Sequence, residues 1–216
     1  MASKHQTQRG KFIVFEGLDG SGTSTQARLL QEALINDGRE AFLTSEPTHG
    51  PVGNLIKLAM THRLFFSKNI DNDDKQLAYL FAADRFDHLY NSVNGVFEHL
   101  DKGAMVISTR YFLSSFAYHC NDDDDVELVR RLNKDFPPAD ITFFIDCPPD
   151  ICIQRINSTR AVPEKYENLV KLESVRKNYL NAIDEYEKTA LIYTLDGTQS
   201  QSSLHDEILQ KLKDVL

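Results

Sequence analysis

Read only for hydrophobic and polar positions, the chain alternates between two kinds of segment. Short apolar runs recur at KFIVFEG (11–17), EAFLTSE (40–46), AMVISTR (104–110), ITFFIDC (141–147) and LIYTLDG (191–197). They are too short for stable helices and rich in β-branched and aromatic residues, so each reads as a buried strand. Between them apolar residues recur at helical spacing. Residues 23–37 carry Ala27, Leu29, Leu30, Ala33 and Leu34 on one stripe, with Gly38 beyond as a cap. GPVGNLIKLAM (50–60) opens with proline and runs helical, and 74–101 reads as one long helix or as two broken near Asn94-Gly95. Residues 114–120 and 125–136 read as short helices, and 149–159, 168–189 and 201–215 complete the set. Five apolar strands separated by helices call for a parallel sheet covered on both faces. The expectation is therefore α/β: a three-layer α/β/α sandwich around a five-stranded parallel sheet. Neither a repeat nor a low-complexity linker interrupts the pattern. One domain is expected over 11–216, after a loose polar tail over 1–10.

Composition narrows the function. A chain of 216 residues, 41% hydrophobic and 26% charged, suits a soluble domain with a sizeable core. The formal net charge of −8 argues against a nucleic-acid surface, which needs clustered cations. A local cationic pocket is still compatible with it. Cys120, Cys147 and Cys152 fit neither a zinc spacing nor a disulfide framework and read as buried thiols in a reducing compartment. Nothing approaches the ~18 consecutive apolar residues of a membrane span, and MASKHQTQRG lacks an apolar signal core. A cytoplasmic protein with no membrane partner is expected. The run NDDDD (121–125) reads as a solvated loop capping the next helix rather than a metal site. His88 and His119 read as packing or rim residues.

The strongest chemical signal is GLDGSGTSTQ (17–26). A phosphate-binding loop follows G-x-x-x-x-G-K-[ST] between a strand and a helix. Gly17, Gly22 and Ser24 are in place, and Thr23 stands where the lysine belongs. Glycines let the backbone turn and bring N–H groups against phosphate oxygens, and the helix N-terminus adds donors and partial positive charge. Gly17, Gly20, Ser21, Gly22, Thr23, Ser24 and Thr25 are thus candidate ATP-binding residues, with Ser24 placed to ligate Mg²⁺. The competing reading is an ordinary glycine-rich turn.

Further segments add to this loop. SEPTHGPVGNLIK (45–57), LFAADRFDH (80–88), TRYFLSSFAYH (109–119), PADITFFIDCPPDICIQR (138–155) and EKYE (164–167) follow it in order. Together with FIVFEGLDGSGTSTQ they resemble the thymidylate kinases, from Lys11 to about Gly197. The matching family patterns are R-E-P, F-x-A-x-R, D-R-Y-x-x-S-S-x-A-Y-Q, P-D-L-T-hydrophobic-D-x-P-x-x-x-x-x-R and the D/E-R-Y/F-E of a mobile lid. The resemblance implies a P-loop nucleoside monophosphate kinase that moves the γ-phosphate of ATP to dTMP, with Mg²⁺ as cofactor, a lid near 156–168, and a homodimer formed through helices near 50–100.

It also assigns roles to residues, each beside a plainer one. Phe81 would stack on thymine, or be core. Arg85, at i+4 on the same helix face, would donate to a ring carbonyl as the second half of a base clamp, or pair at the surface with Asp84 or Asp87. Asp19 would face the deoxyribose 3′-hydroxyl, or merely shape the turn beside Gly20. Tyr118 would pack where a ribose 2′-hydroxyl would sit. Ser114 and Ser115 would lie beside the base, or begin a helix. Lys57 would hold the acceptor phosphate and Arg110 would reach the reacting phosphates. Arg155 on the ATP side, with Arg160 and Lys165 as catalytic lid cations, would supply further charge; the alternative for the two arginines is solvated helix-end charge. Three positions depart from the family: Thr23 for lysine, Thr109 for the aspartate before Arg110, and Ser45 for the arginine of R-E-P. The first two remove one positive and one negative charge together. Two alternatives stand beside the kinase: a nucleotide-binding homologue with impaired transfer, and a kinase of another pyrimidine monophosphate such as dUMP.

Overall fold

The structure, a computed structural model, describes residues 9–67, 69–159, 165, 166 and 168–216. Strands β1 (Phe12–Gly17), β2 (Ala41–Ser45), β3 (Met105–Thr109), β4 (Ile141–Asp146) and β5 (Ile192–Asp196) form one sheet in the order β2-β3-β1-β4-β5. Every pairing is parallel. Helices α1 (Thr23–Asn36), α2 (Pro51–Met60), α3 (Ile70–Tyr90), α4 (Val96–Asp101), α5 (Phe112–His119), α6 (Asp123–Asn133), α7 (Pro149–Thr159), α8 (Leu169–Tyr186) and α9 (Gln201–Leu212) connect and cover it. The expected α/β sandwich is what forms.

The period-two geometry of a strand explains the two cores. Along β1, Phe12 and Val14 enter one apolar cluster with α5 and α8 residues such as Phe116 and Tyr179. Ile13 and Phe15 enter the other, against Leu30 of α1 and Ile208 of α9. A sheet buried on both faces needs apolar residues at successive positions, which is why these strands read as continuous runs.

The expected elements are present with shifted ends. The helical stretch 74–101 is two helices, α3 and α4, broken over 91–95. There the Asn91 side chain accepts from the N–H groups of Val93 and Asn94. α5 begins at Phe112, two residues before the expected start. Asp122 caps α6 by accepting from Asp125 N at 2.8 Å, as read from the acidic run. The three cysteines are free and buried, and among the described residues no helix is long and apolar enough to cross a membrane. Most of the expected tail, and residues 160–164 and 167 of the expected lid, lie outside the described residues.

In an open parallel sheet, ligands bind beyond the carboxyl ends of the strands. Here the loop after β1 and the residues after β2 and β3 meet at that edge, with β1 central in the sheet.

Candidate active site

The loop after β1 turns into α1 through two glycines in left-handed geometry. Gly20 has φ 82° and Gly22 has φ 106°. A Cβ at Gly20 would meet the Cys152 carbonyl oxygen at 2.6 Å, so a side chain is excluded there by contact as well as by conformation. Gly22 is the N-cap of α1, and no side chain caps the helix. The first turn also lacks an acidic residue. Its first N–H groups have no partner within the helix and face outward. The result is a backbone cradle suited to an anion. A cavity of about 580 Å³ opens over it, lined by Asp19 through Gln26, Thr109, Arg110 and Arg155 among others. Arg155 donates to the carbonyls of Gly20 (3.3 Å), Ser21 (3.4 Å) and Gly197 (3.1 Å), fastening α7 and the loop after β5 to the cradle.

A second cavity of about 380 Å³ adjoins the first, and its walls are mostly apolar. Phe81, Met60, Pro47 and Tyr166 line it together with Lys57, Ser114, Ser115, Tyr118 and His119. Phe81 and His119 have ring centroids 5.2 Å apart. Burial holds His119 neutral, with its pKa pushed down to about 3. Burial also lowers the pKa of Lys57, against an opposing pull from Asp84. The two cavities share Asp19, Glu46 and Arg110 as wall residues.

Arg110 is the hinge of the arrangement. One guanidinium nitrogen donates to Ser114 Oγ (3.2 Å) and Tyr179 Oη (3.1 Å). The other donates to Asp19 Oδ1 (2.7 Å) and Tyr118 Oη (3.0 Å). Burial opposes its charge, but Tyr118, Asp19, Tyr179 and Glu16 more than offset that and keep it protonated. Tyr118 also donates to Asp19 Oδ2 at 3.2 Å. The Asp19 carboxylate is thereby held toward Arg110 and Tyr118.

A family model described as thymidylate kinase matches residues 15–208. The chain belongs to the thymidylate kinase family. A "Probable thymidylate kinase" of Thermococcus kodakarensis is 35% identical over 210 residues, spanning 95% of this chain and 98% of that protein. A "Thymidylate kinase" of Brachyspira hyodysenteriae is 30% identical over 207 residues, spanning 95% of each. The solved structure of thymidylate kinase from Candida albicans shares the fold, with a TM-score of 0.75 at 23% identity over 95% of this chain and 92% of that one.

Against the thymidylate kinase pattern, most sequence-chosen residues converge at these cavities. Gly20, Ser21, Gly22, Thr23, Ser24, Thr25 and Arg155 line the first, Lys57, Phe81, Ser114, Ser115 and Tyr118 the second, and Asp19 and Arg110 both. Gly17 ends β1 beneath the loop and lines neither. Two residues require correction. Arg85 is not a free half of a base clamp, nor a surface partner of Asp84 or Asp87. It is 1% exposed and held by Glu46 (2.7 Å), Ser115 Oγ (3.1 Å) and Asn133, between the rings of Tyr111 and Phe136. It stands behind the cavity wall, one hydrogen bond removed through Ser115. Lys165 does not stand among the phosphate-facing cations. Asp73 and Asp74 of α3 hold its ammonium at 2.5 and 2.8 Å, and its backbone N–H donates to Met60 O. Arg160 lies outside the described residues.

Some residues of the site were not read from the sequence. Glu16 is fully buried inside an apolar strand, and such a charge needs partners; that anomaly was a usable signal. His119, by contrast, was read as a packing or rim residue, and it lines the second cavity. Tyr179 sits on an ordinary helical stripe, and nothing local distinguishes it.

Proposed function

We propose that the chain transfers the γ-phosphate of ATP to dTMP. The observation that carries this reading is the shared wall: one half-buried, protonated arginine borders both a backbone anion cradle and an aromatic cavity. A donor nucleotide on the cradle and a base monophosphate in the second cavity would meet at Arg110. Phosphoryl transfer is mostly positioning plus electrostatic stabilisation, which is what such a residue supplies. The β- and γ-phosphates rest on the N–H groups of the loop and of Thr23 and Ser24. The base stacks on Phe81, Tyr118 fills the space of a 2′-hydroxyl, and Lys57 faces the acceptor phosphate. The acceptor phosphate attacks in line, without a covalent enzyme intermediate.

Mg²⁺ fits the donor set. A Mg²⁺–nucleotide complex takes one or two hard protein oxygens and keeps waters and phosphate oxygens for the rest, and the Ser24 hydroxyl lies on the cradle wall. When bound, the ion neutralises phosphate charge. Among the described residues there is no group of three acidic, histidine or cysteine side chains that would hold a metal without a nucleotide. Thr23 takes the place of the cradle lysine, and the cation assigned to that gap is Arg110, joined by Arg160. We also propose a single kinase domain with a lid near 156–168, a cytoplasmic setting and a homodimer. Exposed Leu55 and Leu58 on α2 and Tyr79, Phe86 and Tyr90 on α3 support the dimer.

The test is a coupled ADP-release assay with dTMP, dUMP, dCMP and dGMP as acceptors. Turnover is expected with dTMP. Arg110→Ala and Arg160→Ala should each lower kcat ~10²–10³-fold with a modest change in ATP KM. If the native chain is inactive and Thr23→Lys with Thr109→Asp turns over dTMP, the impaired-homologue reading replaces this one.

A further inference from the structure

We infer that Glu16 and Tyr179 are positioning residues for transfer, because they fix the direction and the hydrogen-bond acceptors of the Arg110 guanidinium without touching a nucleotide. This rests on the reading of Arg110 as the residue at the reacting phosphates.

Arg110 needs such support. Its backbone lies at φ 72°, a region that L residues other than glycine adopt at a cost. Its N–H donates to Phe15 O at 2.8 Å and its carbonyl accepts from Ser108 Oγ at 2.9 Å. The surroundings impose this turn, and they also aim the side chain.

Glu16 continues the Phe12, Val14 face of β1 toward α5 and α8 and is fully buried. Its four hydrogen bonds divide into two pairs. Oε1 accepts from the N–H groups of Tyr111 (2.9 Å) and Ser114 (3.2 Å), at the start of α5. Oε2 accepts from Ser114 Oγ (2.6 Å) and Tyr179 Oη (2.9 Å). A hydroxyl has one hydrogen and two lone pairs. With both hydrogens committed to Glu16, both oxygens turn lone pairs to Arg110, where one guanidinium nitrogen lies within 3.2 Å of each. The two hydroxyl oxygens are only 2.7 Å apart. A hydrogen released by Glu16 therefore falls between them, which turns one hydroxyl away from the carboxylate and changes the pair of oxygens that Arg110 meets. An ionised Glu16 orders the whole set in one direction, from Arg110 through two hydroxyls to the carboxylate.

The charged and titratable groups around Glu16 are Arg110 at the end of β3 and Tyr179 on α8. Beyond the guanidinium lie Asp19 in the loop and Tyr118 on α5. Burial raises the Glu16 pKa, and Ser114, Arg110, Tyr179 and the Tyr111 N–H oppose that rise. Removing the Tyr179 hydroxyl takes away one opposing bond and lifts the pKa further. Tyr179 bonds to Glu16 and not to Asp19, so the variant isolates this carboxylate.

The experiment uses the full chain and compares wild type, Tyr179→Phe, Glu16→Gln, Arg110→Ala and the double variant Tyr179→Phe with Arg110→Ala. It measures kcat, both KM values, the kcat–pH profile and Tm. Tyr179→Phe should lower kcat roughly 10-fold with ATP KM within about 3-fold of wild type, the scale of one lost hydrogen bond to a charged group. Its acid limb should move up by about one pH unit. In the Arg110→Ala background the same change should cost nothing further. Glu16→Gln should lose more, since its amide donates where the carboxylate accepts. Should Glu16→Gln fail to fold, Tyr179→Phe decides alone. Wild-type kcat with an unmoved acid limb in Tyr179→Phe would overturn the inference. So would an equal loss with and without Arg110, which would mark a purely structural role. Wild-type turnover in Arg110→Ala would instead sink the underlying reading of Arg110.

Discussion

Arg85 offers the sharpest test of what the tertiary structure changed. As a base clamp it would affect dTMP binding and leave stability nearly alone; as a buried ion-pair partner it does the reverse. The geometry supports the second role. Arg85 and Glu46 side chains are 1% and 2% exposed and meet at 2.7 Å, and the guanidinium also donates to Ser115 and Asn133. Burial by itself would raise the Glu46 pKa, but Arg85 and His88 pull it below the ordinary carboxylate value. Arg85→Met keeps most of the volume and removes the charge. Glu46 is then buried with His88 as its remaining partner at 3.0 Å. Breaking one side of a buried pair costs ~3–5 kcal/mol. At ~2–4 °C per kcal/mol for a domain of this size, Tm should fall by roughly 6–20 °C. Adding Glu46→Gln removes the stranded charge and should recover part of that loss. The pH dependence has a definite sign: a carboxylate whose folded pKa is lowered contributes stability above its unfolded value and loses it as pH falls through the folded one. The gap between wild type and Arg85→Met should therefore be full at neutral pH and narrow on acidification. Calorimetric melts across pH check this. A Tm within about 2 °C of wild type, coupled to a raised dTMP KM, would refute the argument and restore the clamp.

Three further outcomes follow from the cavity. Phe81→Ala should raise dTMP KM by ~5- to 150-fold with ATP KM nearly unchanged, the equivalent of ~1–3 kcal/mol of base stacking; an unchanged KM would make Phe81 core only. The ribonucleotide counterpart of dTMP should be a much poorer acceptor, because Tyr118 is fixed by Asp19 and Arg110, and equal turnover would remove Tyr118 from the sugar site. His119 has a pKa lowered by burial from 6.5 to about 3, so the folded state binds fewer protons than the unfolded one between those values. Stability should decline as pH falls through that window, and His119→Asn should flatten the slope in urea melts.

The strands, the layer architecture and the glycine turn from β1 into α1 were legible in the sequence because their signals are local. A buried parallel strand is apolar at successive positions whatever its neighbours, and such a turn needs its glycines at fixed offsets. The Asp122 cap and the break between α3 and α4 are local for the same reason, set by side chains within four residues of the backbone they satisfy. What the sequence could not decide is which charge meets which. Glu46 finds Arg85 across 39 residues, Lys165 finds Asp73 across 92, and Glu16 finds Tyr179 across 163. Arg85 looked like a free cation beside Phe81 because helical periodicity places both on one face. Its partner came from the end of β2, and Lys165 was neutralised by α3. The order β2-β3-β1-β4-β5 brings the ends of β1, β2 and β3 to one edge of the sheet. Pairings made there depend on where distant segments are folded to, and no periodicity along the chain encodes that.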